Sequence, residues 1–275
     1  MMKNNQYAIT FACYNQLEYT KQCISSMVKH GLNLNRLVVV DNGSTDDTRR
    51  YLQTLQLGGC ILNEANLGCG VAWNQGALAL QAEWTIIMNN DVIVSNSWIE
   101  SLIETAEKNN LKVISPSLIE GSLDYDFDIF ANINSAKMQN ALRLGARHAV
   151  CLAVHQSVWM DVGYFQPIPK LLGYEDTMFF HELDKAGIKT AITGSSWLHH
   201  FGSITQSAMK QERGLTQKDN LPYRYNYRLL KQSWVRRKLK KMKRIRQEKI
   251  WRKEEISAFG SSMHGLRVAG QFVWQ

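Results

Sequence analysis

Leu37-Val38-Val39-Val40-Asp41-Asn42-Gly43-Ser44 is the stretch on which the fold turns. Four consecutive apolar residues suit a strand covered on both faces, as in a parallel sheet. The run then stops at an acid followed by turn residues. The same pattern recurs on either side. Tyr7 to Cys13 reads as a strand ending at Tyr14-Asn15, and Cys60-Ile61-Leu62 as a short strand before a Gly-rich turn. Trp84 to Met88 ends at Asn89-Asn90-Asp91, and Lys112 to Ser115 follows as a further strand. Helical patterns fill the gaps over Leu17 to His30, with Gly31 as its C-cap, and over Asp46 to Leu55, Val71 to Gln81 and Trp98 to Lys108.

This β-α-β-α order predicts an α/β protein with a Rossmann-like, mostly parallel sheet and helices on both faces. Ligands in such sheets sit beyond the carboxyl ends of the strands. Four polar clusters fall at those ends: Tyr14-Asn15, Asp41-Asn42, Asn63 to Gly70, and Asn89 to Asp91. One could fall there by chance, but four in succession mark a site. Glu120 to Arg147 is the least readable part of the chain.

With 275 residues, 45% of them apolar, the chain is large enough for a well-buried core. At roughly 150 residues per domain it is one large domain, or one with an appendage. No run of ~18 apolar residues suggests a membrane span, and Met1 to Gln6 leads into the first strand with no secretory segment. Five scattered cysteines without C-x-x-C spacing read as reduced thiols rather than a disulfide frame or zinc site. The expectation is a cytoplasmic protein.

The +8 net charge is unevenly spread. Fourteen Lys/Arg and one acid, Glu248, lie between Arg224 and Lys253, giving that segment +13 and leaving the remainder at −5. A mildly acidic body with a basic tail is not a uniformly basic nucleic-acid binder. Val235, Leu239, Met242 and Ile245 recur at helical spacing and form a narrow apolar stripe among Lys and Arg, with Trp234, Ile250 and Trp251 near its ends. Such a helix suits the surface of an anionic membrane, where each basic residue contributes about 1 kcal/mol. Alternatively, the stripe packs on the body or on a second copy in a homodimer. We divide the chain into a domain over residues 1–222 and a basic amphipathic helical extension over 223–275.

The strand ends carry specific chemistry. Asp41 can accept hydrogen bonds from ribose hydroxyls or a pyrimidine N–H, though Asp-Asn-Gly-Ser is also a good turn. Asn66 to Gly76 places glycines before a helix N-terminus, where backbone N–H groups can approach an anion. It lacks the third glycine of the dinucleotide fingerprint, since Trp73 stands there. Asn89-Asn90-Asp91 offers oxygen ligands suited to Mg²⁺ or Mn²⁺, with too few carboxylates for a cage made of protein alone. Gly173-Tyr174-Glu175-Asp176 opens an amphipathic helix. Its two acids either complement the helix dipole or supply a general base whose pKa a neighbouring carboxylate raises. His199 and His200 follow a strand over Ile188 to Ile192.

Taken in order, D-N-G-S (41–44), N-x-G-x-G-x-A-x-N-x-G (66–76), N-N-D (89–91), G-Y-E-D (173–176) and H-x-G-S (200–203) resemble the inverting family 2 glycosyltransferases. The likeness spans about Ala8 to Ser203 and implies the GT-A fold. It assigns Tyr14, Asn15 and Asp41 to the nucleotide base and ribose. Asn66, Gly68, Asn74, Asn89 and Asn90 would line the nucleotide-sugar pocket. Asp91 matches the last residue of the family's D-x-D motif, so it would bind Mg²⁺ or Mn²⁺ with His200, His199 being the neighbouring alternative. Asn89 stands where that motif has its first aspartate. Asp176 matches the family's catalytic base, with Glu175 second.

The resemblance implies transfer of one hexosyl or deoxyhexosyl unit, with inversion, from a nucleotide-diphosphate sugar to a hydroxyl of a glycan or lipid-linked glycan. It points to the non-processive branch of bacterial polysaccharide and lipopolysaccharide assembly, since the Q-x-x-R-W motif of processive synthases is missing. The enzyme would sit on the inner face of the cytoplasmic membrane, and no nucleic-acid partner is expected. The competing readings are a sugar- or nucleic-acid-binding module without catalysis and a sugar-nucleotide pyrophosphorylase. The latter fits poorly, because Cys13-Tyr14-Asn15-Gln16 lacks the Gly-rich strand-one loop.

Overall fold

The structure, a computed structural model, describes residues 6–167, 175–202, 204–212, 214 and 233–275. Four parallel strands form its N-terminal half: β1 (Tyr7–Cys13), β2 (Leu37–Asp41), β3 (Gly59–Leu62) and β4 (Trp84–Asn89). Helices α1 (Leu17–Lys29), α2 (Thr48–Gln53) and α3 (Cys69–Ala79) connect them. All five residues of β2 are buried, as its unbroken apolar run requires. Helix α3 lies so close to β1 that a Cβ at Gly76 would sit 1.8 Å from the Thr10 hydroxyl oxygen. Only glycine fits there.

Beyond β4 the sheet becomes mixed. β5 (Val92–Val94), α4 (Trp98–Lys108), β6 (Val113–Gly121), α5 (Phe127–Lys137), β7 (Leu142–Leu144), β8 (Cys151–His155) and α6 (Gln156–Val162) follow in the chain. Helix α7 (Glu175–Lys185), β9 (Thr190–His200) and α8 (Ile204–Glu212) come next. β8 runs antiparallel between β4 and β6, while β9 runs parallel to β6 and antiparallel to β5 and β7. The sequence shows the strand at Ile188 to Ile192 as ending before the histidines. Instead β9 continues through His200, because a register shift opposite Pro116/Ser117 lets it keep pairing with β6.

The C-terminal segment also departs from expectation. Helix α9 (Trp234–Phe259) is capped by the Ser233 hydroxyl, which accepts from Arg236 N–H, and closes on a left-handed Gly260. Residues read as continuing a helical extension then form a hairpin, β10 (His264–Val268) and β11 (Gln271–Trp274). β10 joins β6 in parallel, giving the order β11-β10-β6-β8-β4-β1-β2-β3. The boundary placed between residues 222 and 223 lies outside the described residues. Among the described residues no helix is long and apolar enough to cross a membrane.

Among the described residues two ion pairs tie helix α9 to the body. Lys240 pairs with Asp184 at 2.8 Å, and Arg143 on β7 makes a bidentate pair with Glu255 at 2.8 and 2.9 Å. Both Arg143 and Glu255 are buried, and the guanidinium also donates to the Ser262 hydroxyl and the Gln275 carbonyl. The apolar stripe does not pack on the body: Val235, Leu239 and Met242 remain 55%, 53% and 58% exposed.

Removing one partner of a buried ion pair strands the other charge. Arg143→Ala should cost about 3–5 kcal/mol in urea unfolding. The double variant Arg143→Met/Glu255→Leu should recover most of that loss.

Candidate active site

Asp91 follows β4, and His200 ends β9. Pairing of β5 with β9 sets Val92 opposite His200, which brings these two side chains together. His200 Nε2 lies 3.3 Å from Asp91 Oδ1, and both residues are buried. The other Asp91 oxygen accepts from the backbone N–H of Ile204, at the start of α8. The Asn89 amide lies 3.4 Å from the same His200 nitrogen. On the far side of the ring, His200 Nδ1 donates to Glu120 Oε1 at 2.9 Å. Burial lowers the His200 pKa, but the hydrogen bonds to Asp91 and Glu120 outweigh it and raise the pKa to about 9. His199 points the opposite way, as alternation along a strand requires. Its Nδ1 meets the Tyr125 hydroxyl at 3.0 Å, and its ring packs edge-on against Tyr125, Phe127 and Phe201.

Glu175 and Asp176 start α7 beside the N-terminus of α3. Glu175 lies against Gly70, where an added Cβ would come within 2.9 Å of its side chain. Its carboxylate accepts from the Gly70 N–H, but burial prevails and pushes its pKa up to about 7, with the Asp176 charge adding to the shift. Asp176 is also pushed up by burial, and Thr177 N–H, donating to it at 2.7 Å, opposes the shift. Cys69 opens α3 between these groups. Its pKa is raised by the protein around the thiol and then by Glu175, Asp91 and Asp176. Because Cys69 is exposed, the three carboxylates carry the direction. Asp91 and the two acids of α7 therefore act on one thiol, at the N-terminus of α3.

Several residues expected to touch a nucleotide are turned into the protein instead. Asp41 is fully buried. It accepts from Gly43 and Ser44 N–H and from Arg49 Nε at 2.7 Å, so Arg49 stands between it and solvent. Asn90 donates to the Thr20 hydroxyl. Asn74 clasps Phe165, donating to its carbonyl and accepting from its N–H. Asn15, in a left-handed conformation, accepts from Thr45 and Asp46 N–H, and Tyr14 is buried. Asn66 caps the turn by accepting from Gly68 N–H.

Asn42, assigned no role from the sequence, is the hub of these loops. It donates to Asn66 Oδ1 and the Gly68 carbonyl, and accepts from Asn63 Nδ2 and Leu67 N–H. Arg49, Glu120 and His264 were also missed. None of the three carried a signal, since the strand that holds Glu120 reads in the sequence as ending at Ser115.

The architecture is that of the GT-A glycosyltransferases. GalNAc-T7, solved with UDP, GalNAc and Mn²⁺, superposes with a TM-score of 0.57 at 14% identity, over 71% of this chain and 43% of that one. Residues 1–349 of S. aureus TarS, solved with UDP-GlcNAc, superpose at 0.55 and 13% identity, over 74% of this chain and 61% of that one. The profile described as Glycosyl transferase family 2 matches residues 9–159, more than half of the chain, and the chain belongs to that family. Among curated relatives, an uncharacterised glycosyltransferase of Haemophilus influenzae is 29% identical over 114 residues, covering 40% of this chain and 35% of that protein. GlyG of Streptococcus pneumoniae serotype 4 is 23% identical over 111 residues, covering 39% and 37%. The matched stretch is thus about a third of these relatives' length.

A carboxyl whose pKa is raised by folding supports stability below its unfolded value and loses that support as pH climbs to the folded value. For Glu175 the window runs from 4.5 to about 7. Glu175→Gln should therefore stabilise the protein by about 3 kcal/mol above pH 7 and by little at pH 4, as read from urea unfolding at the two pH values.

Proposed function

We propose that the chain transfers a single sugar, with inversion, from a nucleotide-diphosphate sugar to a hydroxyl of a glycan or lipid-linked glycan. The observation that carries this reading is the buried Asp91–His200 pair at 3.3 Å, together with Asp176, an acid with a raised pKa whose charge reaches the same Cys69 thiol as that of Asp91. Relatives of the same fold were solved with UDP or UDP-GlcNAc, one of them with Mn²⁺.

The donor set suits Mg²⁺ or Mn²⁺. Glu120 holds His200 Nδ1, so Nε2 is the nitrogen facing Asp91, and the two residues together offer one oxygen and, once a cation displaces the Nε2 proton, one nitrogen. Among the described residues no three or more His, Cys, Asp or Glu side chains converge as a metal cage. Diphosphate oxygens would therefore complete the shell. When bound, such a cation neutralises charge developing on the departing diphosphate.

The protein's own groups do the rest. Asp176 accepts the acceptor's hydroxyl proton as that oxygen bonds to the anomeric carbon, while the bond from that carbon to the diphosphate oxygen breaks with its electron pair. The raised pKa makes Asp176 a stronger base than an exposed aspartate. Glu175, buried against Gly70 and with its pKa raised further, is the second candidate. A binding module would leave one acid buried and its neighbour partly desolvated with no use for either.

Helix α9 supports a peripheral position on the inner face of a membrane. Its stripe is exposed among Lys and Arg, so packing on the body no longer accounts for it. An anionic lipid surface matches both features. The acceptor class in this reading is a lipid-linked glycan of cell-surface polysaccharide.

With a panel of nucleotide sugars, Asp176→Asn should keep donor affinity and lose most turnover, about 10²–10⁴-fold for a general base. Asp91→Ala should lose Mn²⁺-dependent donor binding. Equal loss of affinity in both variants would mean the roles are misassigned. For the helix, Leu239→Asp/Met242→Asp should abolish sedimentation with vesicles containing phosphatidylglycerol. Unchanged sedimentation would reject the membrane role, and a shift from dimer to monomer would assign the stripe to a second copy.

A further inference from the structure

Glu120 sits at the centre of three adjacent strands. On one side it is registered with His200 of β9, and on the other β10 runs beside it, with Leu266 opposite. Its two carboxylate oxygens are divided between two imidazoles. Oε1 accepts from His200 Nδ1 at 2.9 Å, and Oε2 lies 3.3 Å from His264 Nε2. Asp91, His200, Glu120 and His264 therefore form one continuous polar chain, running from the end of β4 to the C-terminal hairpin.

We infer that Glu120 is a positioning residue for the cation site and that His264 holds it in place, making the C-terminal hairpin part of the catalytic machinery. The inference rests on the reading of Asp91 and His200 as cation ligands. The physical reason is tautomer and orientation. A histidine that binds a metal through one nitrogen needs an acceptor for the N–H on the other, and that acceptor fixes which nitrogen faces the metal. Glu120 is the carboxylate that does this for His200.

Without Glu120, the buried Nδ1–H would have no acceptor at that position, and the ring would lose the contact that sets its rotation. Glu120 could turn away in the same manner, since its side chain is 29% exposed. His264 on its second oxygen opposes that motion. The family profile ends at residue 159, so it covers neither His200 nor His264.

The test is Mn²⁺ binding, measured from the EPR signal of free Mn²⁺ in titrations with and without UDP, alongside UDP binding in EDTA. Glu120→Ala should weaken Mn²⁺ binding by about 10–100-fold, the usual effect of losing such a partner. Glu120→Gln, which can still accept from Nδ1–H, should recover most of the affinity, and His264→Ala should show a smaller loss than Glu120→Ala. UDP binding in EDTA should not change. Parent-like Mn²⁺ affinity in Glu120→Ala, with Asp91→Ala having lost it, would overturn the inference and spare the cation reading. Parent-like affinity in Asp91→Ala would overturn the cation reading itself, and the inference with it. A matching loss of metal-free UDP binding in Glu120→Ala would overturn the positioning role in favour of a general structural one. Should Glu120→Ala not fold, His264→Ala decides: weakened Mn²⁺ binding supports the inference, and unchanged binding overturns it.

Discussion

The pairing of a three-residue strand, β5, with the end of β9 is the constraint on which the site depends. It sets Val92 against His200 and so closes a chain distance of more than a hundred residues into one contact. The same junction turns the Asp91 carboxylate toward the first N–H of α8, while Phe201 N–H donates to the Asp91 carbonyl. An aspartate held from two directions by backbone has little freedom to rotate. Its remaining oxygen is left aimed at the imidazole. Rigidity of this kind lets a site hold charge without reorganising when charge develops.

The loops at the ends of the parallel strands are built on a different principle. Amide side chains there satisfy backbone groups that the loops leave unpaired, as buried polar groups demand. Asn42 joins Asn63, Asn66 and the turn at Gly68; Asn15 gathers the loop before α2; Asn74 grips the chain at Phe165. Residues that resemble ligands in sequence thus also hold the loops at the strand ends together. Their amide groups suit the task because each can donate and accept at once.

The parallel half of the fold was legible because its strands carry dense apolar runs and its helices carry capping glycines. The second half was not. β5 and β7 are three residues long, too short for any periodicity. β9 runs on past its expected end through the polar residues Ser195 and Ser196, which bond to backbone groups of α4 and so tolerate burial. The sequence reading set Asp91 beside His200, and the two side chains do meet, but it did not name the residues that support them. Glu120 and His264 are ordinary residues in sequence, and only adjacency of β9, β6 and β10 gives them meaning. A carboxylate such as Asp41 after a buried strand looks like a ligand, and nothing in the sequence announces that Arg49, eight residues on, will cover it.

The hairpin at the end of the chain also orders events during synthesis. β6 is made early, yet its stretch Leu118–Gly121 gains its β10 neighbour only when residues 264–267 arrive. Until the ribosome has released that segment, one edge of the sheet stays open and the imidazole of His264 is missing from Glu120. A nascent chain can thus build the N-terminal, parallel half of the molecule co-translationally, while Glu120 acquires its second imidazole only after residue 264 has emerged.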